Sequence, residues 1–192
     1  SGAGQGIENC VCYTLGTGVG GGIIINGKIY QGFAGLAGEL GHISVVPDLE
    51  AIQCGCGNMG CLETVSSATG IIRMANDAVA RGDRTSLSLV EKIAAKEVFD
   101  AAKEGDEVAI RIVNRSAFYL GKSMAAVAAV LNPEVFIVGG GVSKAGDILF
   151  DEVRRVFAKL APAPLQTGVT IIPAKLGNDA GIVGAAGLLL RS

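Results

Sequence analysis

Three cysteines fall within eight residues, Cys54-Gly55-Cys56-Gly57-Asn58-Met59-Gly60-Cys61, and the chain's one histidine, His42, stands twelve positions before the first of them. Three thiolates and an imidazole are the complement of a tetrahedral structural zinc. Soft sulfur ligands favour zinc over magnesium or calcium. Glycines at 55, 57 and 60 let the backbone wrap closely around an ion. We read His42, Cys54, Cys56 and Cys61 as a four-ligand zinc centre, which leaves no open position for metal catalysis. The alternative is three buried thiols in a glycine-rich loop with His42 as a satisfied core side chain. Cys10 and Cys12 differ: two apart on a strand, they share one face and read as small apolar residues.

An odd total of five cysteines, with no basic-then-apolar leader, argues against a disulfide framework. A reducing, cytoplasmic setting is the expectation. Sixteen basic and eighteen acidic residues leave a formal charge of −2 with no run of one sign, so no nucleic-acid partner is expected from bulk electrostatics. No apolar stretch approaches the ~18–20 residues that span a bilayer, so no membrane partner is expected. Glycine is the compositional outlier, 29 of 192 residues, without a collagen period. The chain opens on a glycine-rich segment, Ser1–Gly6, and we expect it to begin partway through something larger.

Strand-like segments come first: Asn9–Leu15, Gly20–Asn26, then Lys28–Gln31 after the hairpin signal Asn26-Gly27. Ile43–Val46 reads as a short strand that Pro47 ends. Helices are predicted over Thr64–Ala80, Ala95–Lys103 and Asp106–Leu131. In the last, Ala109, Val113, Ala117, Leu120, Met124, Val127 and Leu131 recur three or four apart, and Asn132-Pro133 stops it. A buried strand Val135–Val138, a helix Ala145–Leu160, a strand Gly168–Ile172 and a small-residue helix Asp179–Leu190 follow. Ala161–Pro164 reads as a short rigid connection. The pattern implies an α/β domain with a mixed sheet.

Two glycine-rich turns are candidates for binding an anion. Gly16-Thr17-Gly18 lies between two strands, where backbone N–H groups and a hydroxyl could converge on a phosphate; an ordinary hairpin turn fits equally well. Gly139-Gly140-Gly141 follows a strand and precedes a helix, but fits no dinucleotide fingerprint. Gly121-Lys122-Ser123 mimics the end of a P-loop, yet it sits mid-helix and is rejected. Glu39 stands three residues before His42, and Glu63 two after Cys61. A metal knot would aim both carboxylates at a hydroxyl-rich ligand. Solvated glutamates, or a helix-start role for Glu63, account for them as well.

Taken together, Leu15 through Gly22, Gly38-Glu39-Leu40-Gly41-His42, Cys54 through Glu63, Val138 through Ser143 and Gly177 through Gly181 resemble the ROK family of bacterial sugar kinases and repressors. The resemblance covers nearly the whole chain, and among members it is most similar to glucokinases. It implies an actin-like ATPase, RNase H-like (hexokinase-type) fold: two α/β domains with ATP and sugar in the cleft between them. By the resemblance, Gly16, Thr17 and Gly18 contact ATP phosphates, and Gly139, Gly140 and Gly141 lie by the adenosine. Glu39, His42 and Glu63 hold sugar hydroxyls. His42, Cys54, Cys56 and Cys61 bind a structural zinc. The implied partners are ATP with Mg²⁺, glucose or a related hexose, and further copies in a homo-oligomer.

The family's Asp-x-Gly-x-Thr motif and its catalytic aspartate are not found in these residues. Residues 1–192 are therefore expected to be the C-terminal domain of a ROK sugar kinase, with no catalytic residue of its own and no turnover alone. Three other readings remain: another ROK hexose or N-acetylhexosamine kinase, the effector-binding part of a ROK repressor, and a non-catalytic sugar-binding module.

Overall fold

The computed structural model describes residues 2–175. The helix expected over Asp179–Leu190 and the motif at Gly177–Gly181 lie outside the described residues. A five-stranded mixed sheet has the order β3-β2-β1-β4-β5. Its strands are β1 (Cys10–Leu15), β2 (Val19–Ile25), β3 (Lys28–Ile29), β4 (Val135–Gly139) and β5 (Thr170–Pro173). β1 pairs antiparallel with β2 and parallel with β4, which continues parallel to β5. The Asn26-Gly27 signal folds as expected: both residues have positive φ, 52° and 72°, and β3 returns beside β2.

The main core lies on one sheet face, under the helices. Tyr13 and Phe136 are 1% and 0% exposed, and their rings stand 6.3 Å apart. The long helix α4 (Glu107–Leu131) covers them, with Ala109, Val113, Ala117, Leu120 and Met124 fully buried. It ends where expected, with Asn132 left-handed at φ 42° and Pro133 beyond. α5 (Asp147–Leu160) packs closely on α4: a Cβ at Gly121 would stand 2.9 Å from Val153 O. Lys122 donates to Val45 O and Ser123 bonds the Tyr13 hydroxyl. Gly121-Lys122-Ser123 is thus packing, as its mid-helix position implied. The opposite sheet face carries a smaller cluster with Cys10 buried and Cys12 half-buried beside Val135 and Ile137.

Four boundaries differ from the expectation. Ile43–Val46 forms no strand. Ser44 makes one isolated bridge to Cys61, and the N–H groups of Val45 and Val46 both donate to Gly60 O. A tight loop offers one carbonyl here instead of a ladder. The helix expected over Thr64–Ala80 is two, α1 (Glu63–Ser66) and α2 (Ala68–Ala80), broken at Ser67 with ψ 163°. The Ser67 hydroxyl donates to Glu63 O and accepts from Gly70 N, which caps α2 locally. Gly146, at φ 73°, separates a single 3-10 turn (Val142–Ala145) from α5. Ala161–Pro164 is no plain connection, because a helical turn, α6 (Ala163–Gln166), begins within it. α3 (Ala95–Lys103) matches its expected span.

Asp106 starts α4. Its carboxylate accepts from Val108 N and Ala109 N, and from Thr85 Oγ1, Ser86 N and Ser86 Oγ, at 2.7–3.0 Å. Burial pushes its pKa up, but these hydrogen bonds outweigh burial and hold it well below the ordinary aspartate value. A depressed folded pKa means the stabilisation is present above the unfolded value, about 3.9, and is lost as pH falls through the folded value. Asp106→Ala is expected to cost about 2 kcal/mol at neutral pH. Chemical denaturation at pH 7 and at acid pH checks this: the gap between parent and variant should shrink with acidification.

Candidate metal centre and active site

The loop from Ile43 to Leu62 is folded by its own backbone. Cys54 N donates to Asn58 O at 2.8 Å and Gly57 N to Cys54 O at 2.9 Å, which closes the turn that carries Cys54 and Cys56. Gly60 N donates to Ile52 O, and Gln53 bridges Met59, so Cys61 returns beside Cys54. Gly60 has φ 72°, and a Cβ there would stand 2.5 Å from Val46 O.

The four expected ligands meet. Their donor atoms all lie within 4.8 Å of one another. Cys54 Sγ is 3.7 Å from His42 Nδ1, and Cys56 Sγ is 3.7 Å from Cys61 Sγ. A tetrahedron with Zn–S bonds of ~2.3 Å has edges of ~3.8 Å, so these separations fit a zinc ion. Cys54 and Cys61 are buried, while Cys56 is exposed at the rim. Burial pushes the Cys54 thiol up and the Cys61 thiol up to about 12. The backbone at Asn58 draws the Cys56 thiol down.

Both glutamates border the centre. Glu39 Oε2 lies 3.8 Å from His42 Nε2, the ring nitrogen that faces away from Cys54. Glu63 opens α1, with Oε1 3.8 Å from Cys54 Sγ. Its Oε2 accepts the Val19 N–H at 2.8 Å, a contact that nothing in the sequence signalled. This carboxylate ties the metal loop to the start of β2. Two further ties act at the same place. Ala68 N, at the start of α2, donates to Gly16 O at 2.8 Å. A Cβ at Gly18 would stand 2.2 Å from Glu63 Oε2, so only glycine leaves room for the brace.

The two glycine turns lie side by side at the carboxyl ends of β1 and β4, the usual position of a ligand crevice in such sheets. Gly140, at φ 88°, sits so close to Leu15 that a Cβ would stand 2.3 Å from Leu15 O. Gly41 and Gly21 repeat this economy of space: a Cβ on Gly41 would lie 2.1 Å from Val19 O, and one on Gly21 2.3 Å from Gly38 O. The Gly38–His42 segment therefore rests flat on β2, bringing Glu39 and His42 to the turn.

A cavity of about 220 Å³ joins Thr17 to Cys54, Glu63 and Ser67. Glu63 is the one acid lining it among the described residues. A second cavity, about 320 Å³, lies against Gly141 and is walled by Phe99, Ala145 and the lysines 96, 103 and 144. Sequence reading missed these five residues, three on α3 and two in the turn after β4, because aromatic and lysine positions on a helix carry no spacing signal.

A Cys3His loop is thus braced against the Gly16–Gly18 turn, at the crevice end of a mixed α/β sheet. The chain belongs to the ROK family, whose family model matches residues 1–192. It is 47% identical over 192 residues to a glucokinase of Halalkalibacterium halodurans, covering 98% of this chain and 58% of that protein. A solved ROK family glucokinase from Streptomyces griseus, in complex with glucose and AMPPNP, is 40% identical with TM-score 0.84, over 97% of this chain and 62% of that one. A ROK family transcriptional regulator, a homologue of the E. coli MLC protein, superposes with TM-score 0.87 at 31% identity, over 96% and 46% of the two chains. The fold is the actin-like ATPase fold of ROK sugar kinases. The chain spans about three-fifths of the length of the glucokinases it matches. No helix among the described residues is long and apolar enough to cross a membrane.

Zinc binding and folding are expected to be linked, since metal-binding energy is folding energy. Cys56→Ser should bring zinc content, read by mass spectrometry of metal, close to zero and lower the melting temperature by several degrees. A chelator should do the same to the parent. Equal melting temperatures across all three samples would overturn the linkage.

Proposed function

We propose that this chain is the C-terminal domain of an ATP-dependent glucokinase that phosphorylates the 6-hydroxyl of glucose. The observation that carries the reading is the brace from Glu63 to Val19 N–H, which holds the metal loop against the Gly16-Thr17-Gly18 turn. It sets the groups suited to sugar hydroxyls next to those suited to phosphates. Similarity to proteins named glucokinase supports the choice of sugar.

Glu39, His42 and Glu63 hold the sugar. His42 divides its work between its ring nitrogens: Nδ1 faces the thiols and serves the zinc, so Nε2 keeps a proton to donate to a hydroxyl. Glu39, 3.8 Å from Nε2, steadies that ring and accepts a hydroxyl proton of its own. Glu63 keeps Oε1 for the ligand while Oε2 stays on Val19 N. Bound zinc supplies no catalytic chemistry here; it fixes the loop that carries these groups.

The Gly16-Thr17-Gly18 turn binds the phosphates through the backbone N–H groups of Thr17 and Gly18 and the Thr17 hydroxyl, while Gly16 N–H donates to Gly18 O and shapes the turn. Gly139, Gly140 and Gly141 border the adenosine, and the cavity against Gly141, with Phe99 as an apolar wall, receives the base. Mg²⁺ carried in with ATP neutralises charge on the transferring phosphoryl group. The 6-hydroxyl oxygen attacks the γ-phosphorus as a general base takes its proton, the bond from that phosphorus to the β–γ bridging oxygen breaks, and ADP leaves. We assign that base to the part of the protein that the matching glucokinases have beyond the span of this chain. The setting is cytoplasmic, and the working form a homo-oligomer.

Two measurements test this. The chain with zinc, Mg²⁺, ATP and glucose is expected to show no turnover alone and to gain it when joined to the remaining domain; turnover by the chain itself would overturn the assignment of the base. Glu63→Gln keeps an acceptor for Val19 N–H but loses the charge. Calorimetry should show glucose affinity falling roughly tenfold with zinc content unchanged. Unchanged affinity would remove Glu63 from the sugar site, and a preference for an N-acetylhexosamine in the same titration would move the protein to another ROK kinase.

A further inference from the structure

A third cavity, of about 270 Å³, lies between α2 and α4 and shares Ile52 and Arg73 with the cavity that holds Thr17. Its floor is apolar, formed by Met74, Ala78, Val108 and Ile112. Its rim carries four of the chain's eight arginines: Arg73 from α2, Arg81 just past its end, and Arg111 and Arg115 from α4. Three carboxylates answer them. Arg73 pairs with Asp77 at 2.8 Å, Arg81 with Asp83 at 3.0 Å and Arg115 with Glu50 at 2.6 Å. Arg111 has no ion pair or hydrogen bond among the described residues, so one positive charge at this cavity is unanswered.

That arrangement is not what helix packing alone would select. Arg111 and Arg115 are four apart, so their like charges face one another along one side of α4. The three ion pairs are part-exposed and therefore weak, so an incoming anion can compete for their guanidinium groups. A guanidinium presents two parallel N–H donors, the geometry that fits the oxygens of a phosphate. The apolar floor beneath suits a carbon skeleton.

We propose that this cavity is a second binding site, distinct from the Thr17 turn, for a small phosphate-bearing metabolite, with Arg111 and Arg115 as its phosphate fork. The phosphate replaces Glu50 on Arg115 and meets Arg111 directly, and the body of the ligand rests on Met74 and Ile112. The site does not depend on the glucokinase reading.

Inorganic pyrophosphate is the probe, titrated calorimetrically at ~0.15 M salt into the full-length zinc-loaded protein. The parent is expected to bind it at millimolar concentration or tighter. Arg111→Gln should weaken binding at least tenfold, and Arg115→Gln should weaken it too, with melting temperatures unchanged because both side chains reach solvent. Thr17→Ala, which weakens the proposed ATP site, should leave this binding in place. No binding to the parent, equal binding to Arg111→Gln, or loss of binding in Thr17→Ala would each overturn the site. Failure of the glucokinase reading would show instead as absent glucose or ATP binding, which this titration does not measure.

Discussion

Between Ile29 and Glu63 the backbone forms no strand and no α-helix, only one short 3-10 turn at Leu40–His42 and two isolated bridges. A stretch that long without regular structure is uncommon inside a compact domain. What closes it is the convergence of His42, Cys54, Cys56 and Cys61 on one point. With Cys54 and Cys61 buried, their thiolates are costly unless a cation answers them. A metal ion held by the four would supply that answer and a crosslink together, in place of a core.

Glycine does the complementary work where backbones must nearly touch. At Gly18, Gly21, Gly41 and Gly140 the space a Cβ would need is already held by a carboxylate oxygen, a carbonyl or a neighbouring strand. Three loops meet at the ends of β1 and β2 with little more than the Glu63, Leu40 and Val19 side chains between them. The closeness matters electrostatically: the Val19 N–H and the carboxylate of Glu63 hydrogen-bond in a partly buried setting.

Some of this was legible in the sequence. The α4 face could be read because its apolar residues recur at helical spacing and end at Asn132-Pro133; the Asn26-Gly27 turn could be read because both positions require positive φ. The four metal ligands could be read from residue type and crowding, since three thiols in eight residues leave few alternatives. The break at Ser67 could not, because its cause is a hydroxyl choosing Gly70 N over helix continuation, a competition that the apolar pattern does not record. Ile43–Val46 looked like a strand from its β-branched residues, but Val45 N and Val46 N both turn to the Gly60 carbonyl and no ladder forms. The arginine cavity gathers residues from positions 50 to 115, so no local window contains it.

The placement of His42 links the proposed metal centre to the proposed sugar site, because its two ring nitrogens face different groups. An imidazole free to rotate presents either nitrogen to a ligand and either tautomer with it. Nδ1 stands 3.7 Å from Cys54 Sγ and Nε2 3.8 Å from Glu39, so the ring is flanked on both sides. In the proposed site a metal on Nδ1 would fix the direction of the ring and leave Nε2 as the donor before any hydroxyl arrives. Glu63 is held in the same way, one oxygen committed to Val19 N–H and the other facing Cys54 Sγ at 3.8 Å. Two groups pre-set by bonds they have already made lose little freedom when a sugar binds, which is how a shallow, largely polar crevice can select a flexible polyol.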